Sequence, residues 1–355
     1  MKIEVILRNR SPLSSAAPGQ KTISIDNVLN VPNGFPLTAM RTMAIPVDGQ
    51  DKPAFVPVIP GNSIRNVLRR SMLSLVLDQV RGKATMSIGA YAAACSGNAS
   101  GNPEGVPPLF DELLSVRNHV FLGLFGGGPR MIRGRLSVDT LYPLHASAQR
   151  VLGAGYEDRY VAGRLTQYIW MNRKDPITRI ASEEESSVIT DGRAEITSWA
   201  LNQINSSIRG AEKRKTKTAK SDKASDDAGV DAATAAKEDR GLNTLNAHEV
   251  TLPGIDWLLS IRIEKPTPAQ VGLVLKGIEG LNSMTIGGGH SKGYGVVEVQ
   301  EVQLKVGSVS TNVWDGIGYS EDVTGYFDEL TEALDKIDVN DFESFVKRTK
   351  EAAGE

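Results

Sequence analysis

The sequence has a single cysteine, Cys95, and only four histidines, His119, His145, His248 and His290, in 355 residues. One cysteine excludes an intrachain disulfide and any CxxC metal site, and it fits a reducing compartment. The histidines are too scattered for metal-ligand spacing, so no metal is expected. No apolar run approaches the ~20 residues of a membrane-spanning helix. The opening stretch MKIEVILRNR lacks the long apolar segment of a signal peptide. A cytoplasmic protein without membrane contact is therefore expected. Also missing are the GxxxxGK[ST] and GxGxxG phosphate loops, GxSxG, HExxH, and any pair of carboxylates placed to flank a pocket. Those gaps remove the commonest nucleotide-binding, hydrolase and zinc-peptidase chemistries, and no cofactor is expected.

Glycine is abundant, and one stretch concentrates it: residues 285–299, TIGGGHSKGYGVVEV. Clustered backbone N–H groups with one cation, Lys292, are suited to holding phosphate. Gly288 and Gly289, with His290 and Lys292, are the candidate contacts. A plain connection from helix to strand explains the same composition. Upstream, Thr267 as N-cap, Pro268 and Gln270 form a capping box ahead of Val271, Val274, Leu275 and Ile278 at helical spacing. Downstream, Val297 and Val299 alternate with Glu298 and Gln300 as in a strand.

Ile3, Val5 and Leu7 predict a first strand, and residues 22–29 a second. In PVIPGNSIRNVLRRSMLSLVLDQV, residues 57–80, a Pro-Gly turn leads into an amphipathic helix with Asn62 or Ser63 as N-cap. Ile64, Val67, Leu68, Met72 and Leu75 form its apolar stripe. Arg65 and Arg69 stand four apart on the flank, either a solvated edge or a phosphate-binding helix start. A second glycine cluster, FGGGPR at 125–130, opens a predicted strand carrying Arg130, Arg133 and Arg135. Residues 168–180, YIWMNRKDPITRI, add Arg173 and Arg179 to the basic candidates. Residues 209–240 lose nearly all aliphatic anchors and begin basic, which reads as a solvated linker or as an arm that orders on nucleic acid. Residues 249–264 return to strand. The last 35 residues hold eleven acids and four bases and read as one amphipathic acidic helix built on Phe327, Leu330, Leu334 and Ile337. The body is correspondingly basic although the whole chain has a net charge of −2, and nucleic-acid contact on the body follows.

Four stretches resemble, in order, a known family. PVIPGNSIRNVLRR is similar to the turn and helix that open the ferredoxin-like core of the RAMP superfamily of CRISPR proteins. LFGGGPRMIRGRLSVDTL resembles its middle segment, and IGGGHSKGYGVVEV its carboxy-terminal glycine-rich loop. DPITRI and the later HEVTLPGIDWLLSIRIE resemble the flanks of the thumb in Cas-seven backbone subunits. The resemblance implies an α+β fold: a modified RRM or ferredoxin-like palm with helical finger insertions and an extended thumb. Segments 1–80, 121–150 and 251–320 would form the palm, 81–120 a helical insertion, 151–250 an insertion with the thumb and the lysine-rich arm, and 321–355 the acidic helix. It implies copies aligned in a helical filament along one CRISPR RNA, with other effector subunits and a paired target nucleic acid as partners. Asn62, Ser63, Arg65, Arg69, Arg130, Arg133, Arg173, Arg179, Gly288, Gly289, His290 and Lys292 would contact RNA.

Type III backbone subunits carry a cleaving Asp in the loop before the first helix. Residues 27–47 contain no carboxylate here, and Asp48 and Asp51 read as turn residues. A non-cleaving subunit of a type IV or type I complex is expected. The alternatives are an endoribonuclease acting on precursor RNA through His290, a target-RNA nuclease using Asp26 or Asp48, and a scaffold with no RNA role.

Overall fold

A computed structural model describes residues 1–19, 21–23, 35–47, 49, 51–97, 107–153, 155–174 and 243–347. The chain opens with β1 (Lys2–Asn9), β2 (Lys21–Ile23), β3 (Phe35–Thr38), β4 (Thr42–Ile45) and β5 (Ala54–Pro57), followed by α1 (Gly61–Val80). Helices α2 (Ile88–Ser96), α3 (Phe110–Asn118) and α4 (Leu122–Phe125) lead to the short strands β6 (Gly126–Gly127), β7 (Ile132–Arg133), β8 (Leu136–Val138) and β9 (Tyr142–Pro143). Then come α5 (Gln149–Leu152), β10 (Thr166–Lys174), β11 (Asn243–Thr251), β12 (Asp256–Ile263) and α6 (Pro268–Glu279). The last elements are β13 (Val297–Val306), β14 (Val309–Asn312), α7 (Thr324–Asp335) and α8 (Val339–Val346).

Two compact units result, and the architecture is α+β. Met1–Gly19, Ala39–Tyr168 and Glu249–Glu355 form the first; Gln20–Thr38 and Ile169–His248 form the second. The second unit draws on a four-stranded sheet in the order β10-β11-β3-β2, in which β11 runs parallel to β3. The predicted second strand is seen there over Lys21–Ile23. Residues 24–29 of that prediction lie outside the described residues, as do Arg179 and the lysine-rich stretch.

The first unit is built on a six-stranded sheet, β14-β13-β1-β12-β8, with β9 also on β12. Along the chain its central four strands and two helices follow β1, α1, β8, β12, α6, β13. Each neighbouring pair is antiparallel. The connection is therefore β-α-β-β-α-β, with the fourth strand beside the first and the third beside the second. Alternation in β1 sends Ile3, Val5 and Leu7, all fully buried, to one face. There they join Ile64, Leu68 and Met72 of α1 and Val271, Val274, Leu275 and Ile278 of α6 in one core. A Cβ on Gly277 would meet the Met72 side chain at 2.6 Å, so glycine there gives Met72 of α1 its space against α6. The capping box at Thr267 and Gln270 forms as its spacing predicts.

Two local expectations are corrected. Helix α1 begins at Gly61, with Pro60 in the N-cap position and no side-chain cap, so neither Asn62 nor Ser63 caps it. The cause is packing: a Cβ on Gly61 would stand 2.1 Å from the Val138 carbonyl oxygen, so only glycine lets the helix start against β8. The acidic tail is two helices, not one. Helix α7 lies on α6, and Asp338 caps α8 by accepting from the Asn340 N–H. Phe342 and Phe345 of α8 are buried in the main core.

On the other face of the sheet, Ile6, Leu144, Tyr156 and Leu258 make a small second cluster. Beside it lies Glu4, buried and ion-paired to Lys2 at 2.5 Å and to Lys305 at 2.6 Å, and accepting from the Tyr156 hydroxyl. Burial alone would raise the Glu4 carboxyl, but these three donors hold it down at about 2, against an ordinary 4.5. A lowered folded pKa means stability that is present above pH 4.5 and lost as pH falls toward 2. Glu4→Gln should therefore lower unfolding free energy at pH 7 by on the order of 2–3 kcal/mol and flatten its decline between pH 4.5 and 2, measured by urea denaturation across that range.

Candidate nucleic-acid interface

The register of the sheet produces an unusual row. Lys2 of β1 stands directly opposite Arg262 of β12 on one side and Lys305 of β13 on the other. Like charges directly opposite in a sheet repel. The row is held by carboxylates set beside it: Glu4 on both lysines, and Asp139 on Arg262 at 2.5 Å.

The row forms one side of a cleft of about 1280 Å³ in the first unit. Its cations are Lys2, Arg65, Arg69, Arg133, Arg135, Arg262 and Lys305, against one carboxylate, Glu264. The opposite wall is the glycine cluster that follows α4. Gly126 and Gly127 take φ of 59° and 113°, and a Cβ on either would lie within 2.2 Å of a backbone oxygen. Side chains there would have to displace β7 or the chain at Gly97. Gly128 is backed by Phe345 of α8, whose carbonyl oxygen stands 2.9 Å from where a Cβ would sit. Among the described residues, Met131 and Lys265 are the two non-glycine residues with positive φ, at 52° and 43°. Met131 lines the cleft and Lys265 adjoins it through Glu264. Backbone held in this sparsely populated region clusters at functional sites.

The arginines of α1 serve this wall. Arg65 Nη2 donates to the Phe125 carbonyl at 2.6 Å, and Arg69 Nη2 to the Gly126 carbonyl at 3.0 Å. Both guanidinium groups lie over the Phe125 ring, 5.5 and 4.9 Å from its centre. Arg69 is 4% exposed and Arg65 is half-buried, so neither is the solvated flank that the spacing allows; Arg70, the next residue, is exposed. Burial lowers the Arg65 pKa; burial together with the Arg65 charge takes Arg69 down to about 10.

The other basic candidates divide. Arg133 is exposed on β7 and its side chain bonds to no described residue. Arg135 donates to the Lys265 carbonyl and to Asn118 Oδ1 at 3.3 Å. Arg130 turns away into an ion pair with Glu112. The strand predicted through these arginines is two short ones, β7 and β8, parted at Gly134 and Arg135. Arg173 lies in β10 of the second unit. Lys2, Arg262 and Lys305 were missed, because each is one polar-face residue of a separate strand.

The glycine-rich loop lies at the far end of β13 from the cleft. Asn9 pairs with Val297 there, and Lys2 with Lys305 at the cleft, which sets the two places about 24 Å apart at ordinary strand rise. The loop packs on the chain after β1: the Gly288 N–H is donated to the Ser14 carbonyl at 2.7 Å, and the Gly295 N–H to Pro12 at 3.0 Å. Gly289 and Gly293, with φ of 79° and 77°, bracket a single 3-10 turn, His290–Lys292. His290 is exposed, with Nδ1 2.5 Å from the Thr285 hydroxyl. Of the remaining histidines, His145 is buried and His119 partly so, and loss of solvent lowers both, His119 to about 4. Among the described residues no group of three His, Cys, Asp or Glu could hold a metal ion, and no helix is long and apolar enough to cross a membrane.

The division of labour is testable by stability. Arg69→Ala strips the buried Gly126 carbonyl of its donor and should cost about 1–3 kcal/mol. Arg133→Ala should stay within ~0.5 kcal/mol of the parent. Thermal melts of the two variants side by side distinguish them.

No protein-family model matches the sequence, and no curated protein matches it. Among solved structures the chain is similar to a chain of one titled "Type IV-B CRISPR Complex". The two are 16% identical, with 90% of this chain and 93% of that one covered and a TM-score of 0.44. At that level of identity and superposition, function has to be argued from the residues themselves.

Proposed function

We propose that this chain is a CRISPR RNA-binding backbone subunit of the RAMP superfamily's Cas-seven type. Copies align along the guide, bind other effector subunits, and present the guide for pairing with a target nucleic acid. The central sheet with α1 and α6 is then the ferredoxin-like palm, and α2 and α3 belong to a helical finger insertion. The stretch assigned to the thumb, 181–248, lies mostly outside the described residues. The observation that carries this is the cleft: seven cations and one carboxylate in a chain of net charge −2. Arg65, Arg69, Arg133 and Arg135 have no carboxylate within ion-pair distance among the described residues and keep their charge for a polyanion in the cleft. A guide must be gripped whatever its sequence, and cations on phosphate do that while the bases stay free to pair.

The order of elements supports it too. The stretch PGNSIRNVLRR opens α1, LFGGGPRMIRGRLSVD builds the cleft wall, and the glycine-rich loop precedes the last central strand, as the sequence resemblance implies. In the absence of a carboxylate in residues 27–47, the subunit holds RNA without cutting it. The lysine-rich insertion fits a type IV or type I assembly.

Co-expression with a CRISPR array should yield a large particle carrying RNA of uniform guide length on a denaturing gel. A nucleic-acid-free monomer would overturn the proposal, and precursor cut by this protein alone would replace it with the endoribonuclease. Within the cleft, Arg133→Ala should weaken single-stranded RNA about three- to tenfold at moderate salt. It should also reduce the slope of log K against log salt by ~0.7, one phosphate's worth, read by filter binding over a salt series.

A further inference from the structure

Glu264 is the lone carboxylate lining a cleft of seven cations, yet its side chain hydrogen-bonds to and ion-pairs with no described residue. Its charge acts on Arg135 only through space. The residue is nonetheless firmly placed. Its N–H donates to the Arg135 carbonyl at 3.0 Å. The next residue, Lys265, is held at positive φ with its carbonyl accepting from Arg135 Nη1. Its backbone is held while its carboxylate is exposed to the cleft, and an unpartnered acid there works against phosphate binding, since it repels the same backbone the cations attract.

A carboxylate accepts hydrogen bonds and donates none. On a nucleic-acid strand held by its phosphates, the donor found at every position whatever the base is the 2′-hydroxyl, which RNA has and DNA lacks. We infer that Glu264 accepts a hydrogen bond from a ribose 2′-hydroxyl of the strand in the cleft and so selects RNA over DNA there. The acid then offsets its repulsion with a contact that only RNA supplies. This inference rests on the reading of the cleft as a nucleic-acid site.

The test uses the full chain and two labelled probes of equal length, an oligocytidylate of RNA and one of DNA, followed by fluorescence anisotropy at fixed low salt. The parent should prefer RNA. Glu264→Ala should shrink the RNA-to-DNA affinity ratio about three- to tenfold, the range of one hydrogen bond. Glu264→Gln, which keeps an acceptor oxygen, should retain most of the preference. An unchanged ratio in Glu264→Ala, with both probes bound equally tighter, would overturn the inference and leave Glu264 as simple repulsion while the cleft still binds. Failure of the underlying reading looks different. Either the parent binds neither probe, or Arg133→Glu binds RNA as the parent does, and both outcomes overturn the inference as well.

Discussion

Charge crowding governs this molecule. Antiparallel pairing of β1 with both neighbours brings Arg262, Lys2 and Lys305 abreast, and a sheet does not tolerate three adjacent cations without compensation. The compensation is local and specific: Glu4 serves two of them from the next position on the same face, and Asp139 the third. Glu4 is itself buried, so it needs its lysines as much as they need it. The result is a pre-assembled cationic edge whose charges are oriented before any ligand arrives.

The facing wall solves a different problem. Guanidinium groups from α1 must reach carbonyls at the end of α4, and bulky side chains would hold those carbonyls away. Glycine at 126 and 127 allows the backbone to come within reach, and Phe125 offers its ring as a platform under both arginines. Each such contact satisfies a buried carbonyl while leaving the cation's field pointing into the cleft.

What could be read in advance follows from how local each signal is. The capping box at Thr267, the alternation in β1 and the apolar stripe of α1 are set by residues a few positions apart, and each was legible. The helical break in the tail was equally local: Asp338 two residues before Asn340 is an N-cap pattern that the surrounding apolar spacing masked. Arg69 follows Leu68 on a helix whose periodicity cannot say that a carbonyl 57 residues later will receive its guanidinium. The cationic row was illegible for the same reason. Lys2, Arg262 and Lys305 are ordinary polar-face residues, and only the register of pairing makes them neighbours. Similarly, the glycine-rich loop was recognisable as a loop, but the Ser14 carbonyl that takes up the Gly288 N–H comes from the other end of the chain.

The separation of the two basic regions along β13 has a bearing on scale. A ligand touching both the cleft and the loop near Lys292 must run nearly the whole length of the central strand. A mononucleotide or a single phosphate cannot bridge that distance, whereas an extended oligomer can. Strand length thus acts as a ruler: it sets the smallest footprint that a two-point grip on one copy would require.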